Sequence, residues 1–131
     1  MISIFDVFFI LIIHWVADFI FQTDEMAKGK SKQLSELLSH TLMYSLFWTS
    51  AIFVYECFYT KSIQQSIMIP HNVFDFASIT FFAHTITDYF TSRFNAKLWE
   101  YGKTHNFFVA VGFDQILHYI QLILTFYFII K

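Results

Sequence analysis

HWVADFIFQT, residues 14–23, decides how this chain is read. His14, Asp18 and Gln22 recur at every fourth position, which draws one polar stripe along a helix that is otherwise apolar from Ile2 onward. A second stretch, HTITDYFTSR at residues 84–93, repeats the His-x-x-x-Asp spacing with His84 and Asp88. Two further apolar segments carry His40 with Tyr44 and Asp114 with His118, again four apart.

Around these residues lie four segments of about 20 mainly apolar residues each, the length needed to cross a bilayer. They run over approximately 2–22, 34–59, 73–94 and 107–130. The fold class read from them is all-α: a polytopic membrane protein, with residues 1–131 forming one four-transmembrane-helix up-down bundle. Composition agrees, with 56% apolar and only 14% charged residues against roughly 45–50% and 25% in soluble domains. A net charge of −2 provides no domain-wide basic field and excludes nucleic acid as a partner. The single Cys57 excludes an internal disulfide and any cysteine-based zinc cluster. The N-terminus lacks the basic region and cleavage site of a signal peptide and reads as a retained first span.

Helices one and three align at an offset of 70, His14 onto His84 and Asp18 onto Asp88; helices two and four align at 74, His40 onto Asp114 and Tyr44 onto His118. Two hairpins in the same orientation suggest a parallel repeat. Lys28, Lys30, Lys32, Arg93, Lys97 and Lys103 flank the first and third connections, while only Lys61 and Lys131 lie on the other side. The positive-inside rule then places loops 23–33 and 95–106 in the cytoplasm and both termini outside, in a bacterial-type inner membrane. Pro70 is expected to break the chain just before the third helix. His71 and His105 read as solvated loop residues, and Asp6, Glu56 and Asp75 as carboxylates near helix ends that reach water.

With alternating helix directions, the polar residues of all four spans fall in one leaflet, at 1.5 Å of depth per residue. Asp18, His40, Asp88 and Asp114 form a shallow layer, and His14, Tyr44, His84 and His118 lie about one turn deeper. A single Asp costs about 2.5–3.5 kcal/mol at a span centre, which neighbouring Leu, Ile and Phe offset. Three carboxylates facing one another are different, because their mutual repulsion favours a cation between them. The expected ligands of a divalent metal are His14, Asp18, His40, His84, Asp88, Asp114 and His118. Gln22, Tyr44 and Gln115 are expected to hydrogen-bond to these ligands. Mixed imidazole and carboxylate suits Zn²⁺ before Fe²⁺ or Mn²⁺.

The combination His14-x-x-x-Asp18-Phe19-x-x-Gln22-Thr23, His40-x-x-x-Tyr44, His84-x-x-x-Asp88-Tyr89 and Asp114-Gln115-x-x-His118 resembles a family of small bacterial and phage integral membrane proteins known as a domain of unknown function. The resemblance implies a four-helix membrane fold with these residues as its signature, and it implies no activity.

On the residues themselves, the leading expectation is a metal-dependent hydrolase acting on a lipid or lipid-linked phosphate. Asp88 or Asp114 would serve as catalytic base. Lys28, Lys30, Arg93 and Lys97 would form a rim for the anionic lipid substrate. Transport of a divalent metal or proton is the alternative, weakened by outer helix halves that read as nearly uninterrupted hydrocarbon. A non-catalytic module stapled by its metal is the third. Membrane lipid is the expected partner, and a second copy of the chain is considered because four short helices enclose little volume.

Overall fold

Ser3 starts the first helix by a capping box: its hydroxyl accepts from the Asp6 backbone N–H, and its own N–H donates to Asp6 Oδ2 at 2.8 Å. Helix α1 (Ile4–Trp15) passes directly into a π-helical turn, Val16–Ile20, closed by a hydrogen bond from Phe21 N to Val16 O. Next come a short α2 (Asp24–Gly29) capped by Thr23, then α3 (Leu34–Tyr59), α4 (Ile63–Glu100) and α5 (Thr104–Ile129). This computed structural model describes residues 1–59 and 63–131, with side chains described outside 60–68. Lys61, counted above toward the outer side, lies outside the described residues.

Paired contacts fix the directions of the helices. Asp6 near the start of α1 meets Tyr55 near the end of α3. Asn72, early in α4, bonds Glu56, late in α3, while Gln121 of α5 reaches back to Thr80 of α4. Neighbouring long helices therefore run antiparallel. The contacts of α1 with α5, its π turn with α3, α3 with α4 and α4 with α5 close a ring. The apolar core fills one end, where Ile10, Trp48, Ile52, Phe76, Leu122 and Phe126 are fully buried. The other end buries charge.

Three boundary expectations change. The third segment begins at Ile63 instead of 73, and Pro70 sits inside α4. A proline near the start of a 38-residue helix removes one N–H donor and leaves the rest of the ladder intact. The connection expected at 95–106 contracts to 101–103, because Asn95–Glu100 continue α4 in a helix-favouring polar sequence. Gly102, at φ 65°, ends α4 in a Schellman motif, with Lys103 N bonding Leu98 O and Gly102 N bonding Trp99 O. His71 and His105 are thereby helical, though both are exposed, and His71 Nε2 pairs with Asp75 at 3.2 Å.

Gly29 is required by a close approach. A Cβ built there would lie 2.5 Å from Glu36 Cγ and 2.9 Å from Glu36 Cβ, so α2 can rest against α3 only with glycine at this position. That contact delivers Lys30 to the bundle.

Two helices, α3 and α5, are long and apolar enough to cross a membrane by length and composition. Among the described residues, buried polar side chains are as numerous as buried apolar ones. Large apolar residues such as Phe8, Ile12, Phe53, Phe82, Phe90 and Phe113 lie exposed.

Candidate metal centre

Five of the expected ligands converge. Asp18 is held by the π turn, His40 by the first turns of α3, His84 and Asp88 by successive turns of α4, and His118 by α5. All are at least 96% buried. Asp18, His40 and His84 form one group whose donor atoms lie within 4.8 Å of one another, and His84, Asp88 and His118 form a second. These groups could hold a metal ion.

The separations bear on the fit. His40 Nε2 lies 3.1 Å from Asp18 Oδ1, 3.1 Å from His84 Nε2 and 3.3 Å from Asp88 Oδ2. His84 Nε2 lies 3.6 Å from Asp18 Oδ1 and 3.7 Å from Asp88 Oδ2. Four ligand atoms about 2.1 Å from a tetrahedral ion stand about 3.4 Å apart, so these five edges have the length that such an ion requires. Asp18 Oδ1 accepts no hydrogen bond despite its near neighbours, and His84 Nδ1 has no partner. The Tyr44 ring stacks on the His84 ring at 3.8 Å and 13°, which fixes its plane.

Lys30, expected at the rim, enters the site instead: its ammonium donates to Asp88 Oδ2 at 2.8 Å. Burial opposes its charge, but the Asp88 and Asp18 carboxylates outweigh that and hold its pKa above the ordinary amine value. Three carboxylates (Asp18, Asp88, Asp114) and one ammonium thus share this end of the bundle.

His14 is not among the converging atoms. Its Nε2 donates to Gln115 Oε1 and its Nδ1 accepts from Tyr44 Oη, both at 2.8 Å, leaving no lone pair for an ion. The same Nε2 lies 3.8 Å from Asp18 Oδ2, so the two stay neighbours across the π turn, and it is the hydrogen bonds to Gln115 and Tyr44 that occupy the imidazole. In backbone the pair differs from its aligned partner His84/Asp88, which lies in regular α-helix, although the Nε2–Oδ2 separations, 3.8 Å and 3.7 Å, match. Asp114 also stands outside both groups, with Oδ1 3.4 Å from His118 Nε2, while His118 Nε2 is 3.1 Å from Asp88 Oδ1. Gln115 does touch ligands, donating to Asp18 Oδ2 at 3.4 Å and to Asp114 Oδ2 at 3.2 Å. Gln22 does not, since its Oε1 is buried without a partner.

Over this cluster opens a cavity of about 720 Å³. Asp18, Asp114 and Gln115 line it together with Lys28, Lys32 and the apolar side chains of Phe19, Trp99 and Phe108. Arg93 and Lys97 are not in its wall. The Arg93 guanidinium folds back over the Tyr89 ring at 3.8 Å and donates to Tyr89 O.

Sequence reading missed a second buried cluster at the opposite end. Asp6, expected to reach water, is 2% exposed. It accepts from Tyr55 Oη at 2.6 Å, and Lys131 Nζ lies 3.4 Å from its Oδ2. Between the two ends, Thr80 and Thr125 are buried and Gln121 donates to both. The outer halves are therefore less purely hydrocarbon than the sequence reads. No periodicity signalled this, because Asp6, Tyr55 and Lys131 come from three distant parts of the chain.

Fold and site together define an all-helical protein with a buried His/Asp cluster able to take a metal ion. The chain belongs to the family described as "Protein of unknown function (DUF3307)", which matches residues 7–131. No curated protein and no solved structure matches it.

Proposed function

We propose that this is a four-span membrane protein that hydrolyses a lipid or lipid-linked phosphate at a single metal ion in the cytoplasmic leaflet, with both termini outside. The apolar exterior and charged interior support the membrane setting, as does the length of α4, well beyond the roughly 20 residues that a crossing needs. One observation carries the hydrolase reading: Asp18 of the converging groups and Asp114, 3.4 Å from His118 Nε2, both line a cavity that Lys28 and Lys32 also line.

The ligands would be Asp18, His40, His84 and Asp88, with His118 orienting Asp88 through its second oxygen. For this donor set zinc is favoured over Fe²⁺ or Mn²⁺. Bound there, the ion supplies a Lewis acid that polarises the phosphoryl oxygen and acidifies water. Asp88 is committed to His118 and Lys30, so the base is Asp114. As water adds to phosphorus and the P–O bond to the leaving group breaks, Asp114 Oδ1 takes the proton of the water, with Gln115 holding its other oxygen. In detergent with added Zn²⁺, purified protein should release phosphate or head group from a lipid phosphate. Asp114→Asn should slow release at least about 100-fold with metal content retained. Full metal occupancy with no turnover of any lipid phosphate defeats the reading.

The continuation of buried polar groups through Thr80, Gln121 and Thr125 toward Asp6 and Tyr55 supports a second reading, transport of a divalent cation or proton. Sealed liposomes separate the two: cation or proton flux without lipid turnover favours transport. Occupied metal with neither activity leaves the stapled module.

A further inference from the structure

We infer that the cavity over the metal centre takes a head group with free hydroxyls beside its phosphate, a polyol- or sugar-bearing phospholipid. The inference rests on the lipid-phosphate reading above and adds the chemistry of the head group.

Three polar atoms in the cavity wall carry it. Gln22 Oε1, Ser92 Oγ and Asn95 Oδ1 are buried and make no hydrogen bond within the chain. Ser92 and Asn95 are three residues apart on α4 and so share a face, and Gln22 follows the π turn that carries Asp18. Buried polar groups are nearly always paired, so three unpaired ones in one wall mark the place of a polar ligand. Phosphate oxygens only accept, and they leave two amide carbonyl oxygens unanswered. A hydroxyl both donates and accepts, so it satisfies Ser92 and either orientation of the two amides. The phosphate itself suits Lys32 in the same cavity, because Lys30 is engaged by Asp88 and Lys28 pairs with Asp24 at 3.3 Å. A choline head group has no hydroxyl: its phosphate can accept from Ser92 Oγ but leaves both amide oxygens unanswered.

The test compares short-chain phosphatidylglycerol with phosphatidylpropanol, which carries the same charge and differs only in lacking two hydroxyls. Dissociation constants are measured on the full chain in detergent. Phosphatidylglycerol should bind at least tenfold more tightly, at about fivefold per hydrogen bond gained. Asn95→Leu and Ser92→Ala should each cut that preference about fivefold, with metal content as the check that the site has folded. Equal binding of the two lipids by the unaltered protein overturns the inference, as does a preference that survives both substitutions. Glycerol phosphate is the arm for a soluble ligand: if it binds as tightly as the lipid, the lipid assignment falls. Turnover is read separately. A hydroxyl preference without turnover upholds the head-group inference and defeats the hydrolase reading, and turnover of both lipids at equal affinity does the opposite.

Discussion

Replacing His84 and His14 in parallel separates a ligand from its neighbour. His84 Nε2 takes part in both converging groups and lies 3.1 Å from His40 Nε2. His14 borders the site without joining either group: it bonds Gln115 and Tyr44, and its Nε2 lies 3.8 Å from Asp18 Oδ2. Loss of a group that merely orients a ligand costs about 10–100-fold in metal affinity, so loss of a ligand should exceed about 100-fold, or about 2.7 kcal/mol. His84→Ala should therefore reduce Zn²⁺ affinity by more than about 100-fold, and His14→Ala by about tenfold. Metal per chain is measured by mass spectrometry on protein purified without chelator, and Kd by competition with a zinc indicator. The unaltered protein should hold close to one ion. His84→Ala also removes the ring stacked on Tyr44, so Asp18→Asn, which keeps side-chain shape, serves as the companion variant, with helicity checked by circular dichroism. Equal losses in His14→Ala and His84→Ala, or no loss in His84→Ala and Asp18→Asn, would refute the ligand assignment.

Other consequences are open to measurement. Lys30→Met leaves three carboxylates facing any bound cation with no competing ammonium, and it should tighten divalent-ion binding at least about tenfold in the same competition assay; unchanged affinity would show that Lys30 does not share the site's charge balance. Because the folded-state pKa of Lys30 is raised above 10.5, its tie to Asp88 stabilises the fold at all lower pH and is lost only as pH climbs through that raised value. A thermal-unfolding series into alkali should show a final loss of stability that Lys30→Met lacks. Gly29→Ala pushes α2 off Glu36 and should cost about 1–3 kcal/mol, read as a lowered Tm together with part of the Lys30→Met phenotype. Tyr55→Phe deprives buried Asp6 of its 2.6 Å hydrogen bond and should cost about 1.5–3 kcal/mol without altering metal content.

Much of the cluster was legible because His40, His84, Asp88 and His118 lie in regular α-helix, where a spacing of four residues reliably marks one face. The spacing of four also keeps His14 beside Asp18, 3.8 Å apart, but it does not reveal that Tyr44 and Gln115, from α3 and α5, occupy both imidazole nitrogens. Lys30 was assigned to a rim because the reach of a long side chain from a polar connection depends on how closely α2 docks, and that is decided by a single missing Cβ at Gly29. Helix ends were misplaced for a related reason. Hydropathy marks where the apolar stretch stops, whereas α4 runs on through Asn95–Glu100, where Trp99 packs edge-on against Phe107 of α5. Asp6 was placed in water because its partners Tyr55 and Lys131 are remote in sequence.

The π turn at Val16–Ile20 gives the first helix two angular settings. Below it, Phe9 and Ile10 are phased to the aromatic packing of Trp48 and Phe126; above it, Asp18 is phased to the charged end. Wound as an unbroken α-helix with every residue kept, the two halves would be rotated against each other by most of the roughly 100° that one residue spans. Whichever half kept its seat, the other would face the wrong way, so the irregularity works as a phase adapter between two packing problems that no uniform helix of this length could solve together.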